Sequence, residues 1–170
     1  NSTLSLEDTE IILSGGILGR NVQVREVYEA KNLAILTETV VEKSKAALSL
    51  KLILSWHKIL LSHIDDKIAG RFRIGKEWVR VGNHLGANPA FVATLMQELV
   101  DRYKKDKTSY FLNAIADFHA EFETIHPFVD GNGRMGRVLI NLQLMNLGFP
   151  PIIIQNKSKH TAAIASKLAA

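Results

Sequence analysis

The chain has 170 residues, 46% of them hydrophobic, with 21 Lys and Arg against 17 Asp and Glu, and no cysteine. That length fits one domain with a sizeable core and predicts a single domain over 1–170. The absence of thiols excludes disulfide staples and thiolate metal sites, and apolar runs such as Ile152–Ile154 and Val138–Ile140 fall far short of the ~20 residues of a membrane span. The net charge of +4 comes from scattered basic residues, and the densest cluster, Lys104-Lys105-Asp106-Lys107, is interrupted by an acid. It reads as a solvated helix end, so neither nucleic acid nor membrane is an expected partner. The first residues show no basic segment leading into an apolar one, which makes a cytoplasmic location the expectation.

Helical periodicity dominates, and the predicted fold class is all-α with a short β-hairpin. Helices are expected at about 5–13, 25–46, 49–64, 89–105, 109–125, 132–147 and 158–169. Ser5 with Asp8, Ser49 ahead of Leu50, and Asn88 before Pro89 are N-cap signals. Gly15-Gly16 and Gly19 separate the first two helices, and Gly148 with Pro150-Pro151 ends the sixth. One stretch resists helix: Gly70 to Gly82 is rich in Trp and Val between glycines and reads as a β-hairpin. It either folds down on the helices or leaves an open edge for a peptide.

The chemistry concentrates between the fifth and sixth helices, in His126-Pro127-Phe128-Val129-Asp130-Gly131-Asn132-Gly133-Arg134-Met135-Gly136-Arg137. Gly131 and Gly133 allow a tight loop whose N–H groups approach a phosphate, and the helix that follows adds its positive dipole end. Arg134 and Arg137, three apart, share a face and suit bidentate contact with phosphate oxygens. Asp130 beside this nest calls for a cation, and Mg²⁺ shared with phosphates is the economical choice. His126 has the ordinary pKa of a general base at neutral pH. The Asn132 amide is placed to donate to a phosphate in the transition state, and Phe128 reads as a core anchor. Singly, each feature is more often structural; together, around one helix N-terminus that disfavours bare arginines, they point to phosphate chemistry. His57 and His63, six apart, lack a recognised zinc spacing, and His119 is expected to pack or hydrogen-bond beneath the motif.

The string HPFVDGNGRMGR resembles the signature of Fic-domain proteins, HPFx[DE]GNGRxxR, at every specified position. Ala69-Gly70-Arg71-Phe72-Arg73 resembles the family's entry to a flap hairpin, and Asn141 with Leu147-Gly148-Phe149-Pro150-Pro151 its helix exit. The resemblance implies a helical Fic fold and transfer of AMP from ATP to a Tyr, Thr or Ser hydroxyl of a target protein. It implies His126 as base, Asp130 as Mg²⁺ ligand, and Gly131, Asn132, Gly133, Arg134 and Arg137 as nucleotide ligands. The flap, Ile74, Gly75, Lys76, Glu77, Trp78, Val79, Arg80 and Val81, would align the target.

Related Doc-type kinases carry Lys where this chain has Gly133, which favours nucleotidyl over γ-phosphate transfer; a kinase and a non-catalytic nucleotide or peptide binder are the alternatives. A tyrosine pair frequent on the family's last helix is Ala162-Ala163 here, which bears on base selectivity. A second copy of the chain and an inhibitory segment are also expected partners. The segment Asn1 to Leu6 resembles the residues following the family's inhibitory motif, [ST]xxxE[GN], which places its glutamate before residue 1. The alternative is Thr3-Leu4-Ser5-Leu6-Glu7-Asp8, which matches the spacing but ends in Asp8 instead of Gly or Asn, and Glu7 reads better as an ordinary first-turn acid. A form containing that glutamate is expected to be less active.

Overall fold

The computed structural model describes residues 3–106 and 110–154. Six α-helices run in chain order: α1 (Leu6–Leu13), α2 (Val24–Glu42), α3 (Leu50–Leu61), α4 (Val92–Lys105), α5 (Phe111–Ile125) and α6 (Asn132–Asn146). Two short strands, β1 (Arg80–Val81) and β2 (His84–Leu85), form an antiparallel pair. The six corresponding predicted helices are present, with α2 ending at Glu42 and α3 at Leu61, earlier than their periodicity suggests. The helix predicted at 158–169, and with it Ala162-Ala163, lies outside the described residues.

The expected caps form. Ser5 and Asp8 close a reciprocal capping box on α1, and the Ser49 hydroxyl accepts from the Leu52 N–H. The Asn88 side chain accepts from Ala90 N–H and opens a short 3₁₀ turn, Pro89–Phe91, that leads into α4. Gly148, with φ 91°, lets the chain leave α6 while Phe149 N–H returns to the Leu144 carbonyl. Asn141 then pins the extended exit segment through its amide N–H and oxygen, to Ile152 O and Ile152 N–H respectively.

The hydrophobic core gathers on α6, which is buried on most of its circumference and therefore central; Met135, Val138, Leu139 and Leu142 are buried among Trp56 and Leu60 of α3, Val92 and Met96 of α4, and Phe118 and Phe122 of α5. Helix α2 packs on α3 and reaches α6. Its buried Asn32 donates to two α3 carbonyls, Leu60 O at 3.2 Å and Ser62 O at 2.7 Å, satisfying orphan acceptors at that helix end.

The hairpin departs from its expected position. Its two-residue turn is Gly82-Asn83, with Gly82 at φ 58° as a type II′ turn requires, and residues 70–79 are not a strand. Glu77 explains why: its carboxylate takes two hydrogen bonds from Arg71 and one from the Ile74 N–H, curling 74–77 into a local turn before pairing begins. Most of the segment from Ile74 to Leu85 is exposed.

Because Asn32 is the partner of two helix-end carbonyls, Asn32→Ala is expected to cost about 1–3 kcal/mol. Urea unfolding at pH 7 measures this loss.

Candidate active site

The loop between α5 and α6 is held in an unusual course. His126 ends α5 in the left-handed region, φ 51°, and Gly131 opens α6 there too, φ 84°. Between them Asn132 folds back, its Oδ1 accepting from Phe128 N–H and its Nδ2 donating to Phe128 O, both at 2.8 Å. One N–H of the buried Asn132 amide thus closes the loop, and neither bond commits the second N–H of that amide. The main-chain N–H groups at the start of α6 are further donors for an anion.

His57 of α3 supports the loop from below. Fully buried, its ring stacks on Phe128 with centroids 3.7 Å apart. The Gly70 N–H donates to Nδ1 at 3.0 Å, which leaves Nε2 as the protonated nitrogen donating to the Asp130 carbonyl at 3.0 Å. Burial is the main cause that holds its pKa down to about 4. Sequence reading weighed His57 only as a zinc ligand; its role as a two-ended strut depends on contacts 13 and 73 residues away.

Arg73 is the second missed residue. It is 1% exposed and donates to four main-chain carbonyls: His126 O at 2.7 Å, Glu77 O and Ala87 O at 2.8 Å, and Ile125 O at 3.0 Å. It thus ties the end of α5 to both ends of the hairpin segment. The Arg73 N–H donates to Pro127 O, and the His84 ring contacts Thr124 O at 2.8 Å, adding two more ties.

On the α2 side, Asp130 accepts from Arg25 at 2.5 Å, from Arg134 at 3.2 Å and from its neighbour Gly131 N–H. Burial alone would raise the Asp130 pKa, but Arg134, the Gly131 N–H and Arg25 outweigh it and hold the carboxyl below its usual value. Glu29 of α2 bonds Arg25 at 3.1 Å and stands 3.4 Å from Arg134 Nη1. Arg25, Glu29, Asp130, Arg134 and Arg137 line one open cleft of about 1300 Å³ between α1, α2 and α6. The expected phosphate-site residues Asp130, Arg134 and Arg137 therefore share this cleft. Gly133 lies beside Arg137, a Cβ there standing 3.5 Å from its Nη1.

His126 does not line that cleft; it faces the hairpin, where a Cβ on Gly86 would stand 3.1 Å from the His126 Cβ. Burial lowers its pKa first, with Arg73 and His84 pushing the same way, so the ring is neutral at pH 7 and able to accept a proton. The flap residues Ile74, Gly75, Lys76, Trp78, Arg80 and Val81 are exposed, and Glu77 and Val79 are partly covered. Glu7 is exposed on α1 and is not among the residues lining the cleft. Among the described residues no three His, Asp or Glu side chains cluster as a protein-only metal cage. Mg²⁺ needs only one or two carboxylates when phosphates supply its other ligands, and the ionised Asp130 at the cleft fits that requirement.

Comparison with known proteins adds a frame for this geometry. A model of the Fic/DOC family matches residues 47–144. Protein adenylyltransferase Fic of Drosophila willistoni is 33% identical over 165 residues, covering 94% of this chain and 33% of that protein. Protein adenylyltransferase fic-1 of Caenorhabditis elegans is 31% identical over 172 residues, covering 96% and 33%. The chain thus spans about a third of the length of these curated relatives. Among solved structures, Fic-1 of C. elegans superposes with TM-score 0.79 at 28% identity, over 98% of this chain and 51% of that one. A Fic family protein from Desulfovibrio desulfuricans gives 0.74 at 32% identity, over 85% and 44%.

The buried His57 has a signed pH signature. Its folded pKa of about 4 lies below the unfolded value near 6.5, so only the unfolded chain takes up the proton between them. The stability this group contributes is whole above pH ~6.5 and is lost as pH falls towards 4, roughly 3 kcal/mol in all. The stability gap between wild type and His57→Phe, measured by urea unfolding, is therefore expected to shrink by about 2–3 kcal/mol between pH 7 and pH 4.5; an unchanged gap contradicts a neutral strut.

Proposed function

This chain belongs to the Fic/DOC family, and from that premise we propose that it is a protein adenylyltransferase, moving AMP from ATP onto a Tyr, Thr or Ser hydroxyl of another protein. One observation carries the reading. A single loop and helix start bear a neutral, buried histidine on one side and an acid with two arginines on the other, the division of labour that hydroxyl attack on a phosphate requires.

In this reading the nucleotide's phosphates lie against the N-terminus of α6. The N–H groups there and the guanidinium groups of Arg134 and Arg137 hold their charge. Asp130 would hold Mg²⁺, which when bound neutralises charge between the phosphates. A target segment lies along the exposed flap, Ile74 to Val81, with its hydroxyl directed at His126. That oxygen attacks the α-phosphorus, the bond to the β-phosphate oxygen breaks, pyrophosphate leaves, and the hydroxyl proton passes to the His126 ring. Asn132 acts by shaping the loop through Phe128.

Gly133 before Arg134 favours this reaction over transfer of the γ-phosphate. Regulation by a glutamate that engages Arg137, and association of two copies, belong to the same proposal as expected partners of the cleft and surface.

The reading is tested by incubation with Mg²⁺ and either α- or γ-labelled ATP, scoring which label becomes covalently bound to protein. The expected result is α label alone, reduced at least ~100-fold in His126→Ala, the span of a lost general base. Arg134→Ala is expected to lose transfer through weaker ATP binding. Label from the γ position indicates a kinase, and ATP binding with no transfer at any target indicates a binder.

A further inference from the structure

Three side chains at helical spacing, His119 and Glu123 of α5 and His126 at its C-cap, bury side-chain polar atoms; among the described residues His119 Nδ1 and Glu123 Oε1 have no hydrogen-bond partner, and His126 Nδ1 has none beyond the main-chain carbonyl of Glu123. Leaving a buried polar atom without a partner is destabilising, so two on adjacent turns of one helix call for a reason. Gly136 of α6 forms the floor beneath two of them. A Cβ there would stand 2.7 Å from Glu123 Oε1 and 2.8 Å from His119 Cε1. The other carboxylate oxygen, Glu123 Oε2, lies 3.7 Å from His126 Nδ1. The carboxyl is thus seated between the backbone of α6 and the ring of the expected base.

The second ring nitrogen differs: among the described residues Nε2 of His126 is neither a buried orphan nor bonded to a protein group, which leaves it as the atom available to an incoming hydroxyl. A ring that accepts a proton at Nε2 must carry its resting proton on Nδ1.

We infer that Glu123 is the positioning residue for His126: its carboxylate, 3.7 Å from Nδ1, favours the tautomer that carries the proton there and leaves Nε2 open, and stabilises the imidazolium formed when Nε2 takes the hydroxyl proton. The inference rests on the adenylyltransferase reading. The proton moves from the hydroxyl oxygen to Nε2, and Glu123 stays ionised throughout. Gly136 is then required because any side chain there would displace the carboxyl from the base.

The charged and titratable surroundings act in both directions. Arg73 and His84, from the hairpin side, favour the neutral His126 ring, while the main-chain carbonyl of Glu123 favours the protonated one. Burial raises the Glu123 pKa, and Arg137 of α6 opposes that shift. His119 lies beside it, its own pKa lowered by burial and by Arg137.

The decisive measurement is ¹⁵N NMR of the imidazole groups, which needs no transfer activity. In the wild type at pH 8 the His126 proton is expected on Nδ1; a proton on Nε2 overturns the inference. Glu123→Gln is expected to lower the His126 pKa by about 0.5–1 pH unit, with Glu123→Asp between the two. An unmoved pKa in the Gln variant overturns the inference, because the main-chain carbonyl then suffices. In the transfer assay kcat is expected to fall roughly 10-fold in Glu123→Gln with KM for ATP unchanged, the acid limb following the ring pKa. A fall in kcat with the limb unmoved assigns Glu123 a packing role and overturns positioning. If the Gln variant does not fold, the wild-type tautomer and the Asp variant decide. Wild type that transfers nothing refutes the proposed reaction, while the ring titration still decides on Glu123.

Discussion

The buried guanidinium of Arg73 is the constraint on which the site depends. It draws together four carbonyl oxygens from three places in the chain: the end of α5, the turn at Glu77 and the return at Ala87. A guanidinium stays protonated when buried and spreads its donors in a fixed plane, which no lysine reproduces. It also lies against the C-terminal carbonyls of α5, where a cation is favoured by the helix dipole. The left-handed turn of His126 and the root of the hairpin are thus fixed by one side chain. Whatever the exposed hairpin tip does, its base keeps a defined relation to the histidine.

The signature loop divides its residues between two faces. Asp130, Arg134 and Arg137 look toward α2 and the cleft, while His126 looks toward the hairpin. Two struts keep the loop from collapsing to either side: Asn132, which closes it on itself, and His57, which joins it to the Gly70 turn. Both are uncharged in their folded setting, so the loop's electrostatics are left to the residues that meet solvent.

Much of this was legible in the sequence because it is local. The N-caps, the prolines and glycines at helix ends and the apolar periodicity each act within a few residues, and the six described helices start where those signals place them to within a few residues. The candidate loop was legible for the same reason, being contiguous, and the fold sets its Asp130, Arg134 and Arg137 along one cleft. The hairpin was misread because Gly75 and Gly82 are equal turn signals in sequence, and only the pairing of Arg71 with Glu77 decides that the first makes a local turn. The roles of Arg73, His57 and Glu123 could not be read, since each depends on a carbonyl, an amide or a ring brought close by the tertiary fold. The tie between Asn132 and Phe128 spans only four residues, yet nothing in the glycines around it announces it.

Helix α2 presents Arg25 to Asp130 and Glu29 to Arg134. On the adenylyltransferase reading, a magnesium nucleotide would exchange like for like at both positions: a metal cation in place of a guanidinium, a phosphate in place of a carboxylate. Asp130 and Arg134 would then keep a counterion throughout, first from the fold and then from the substrate. In this sense the cleft would be a lock that its own helix fills with a charge replica of the key.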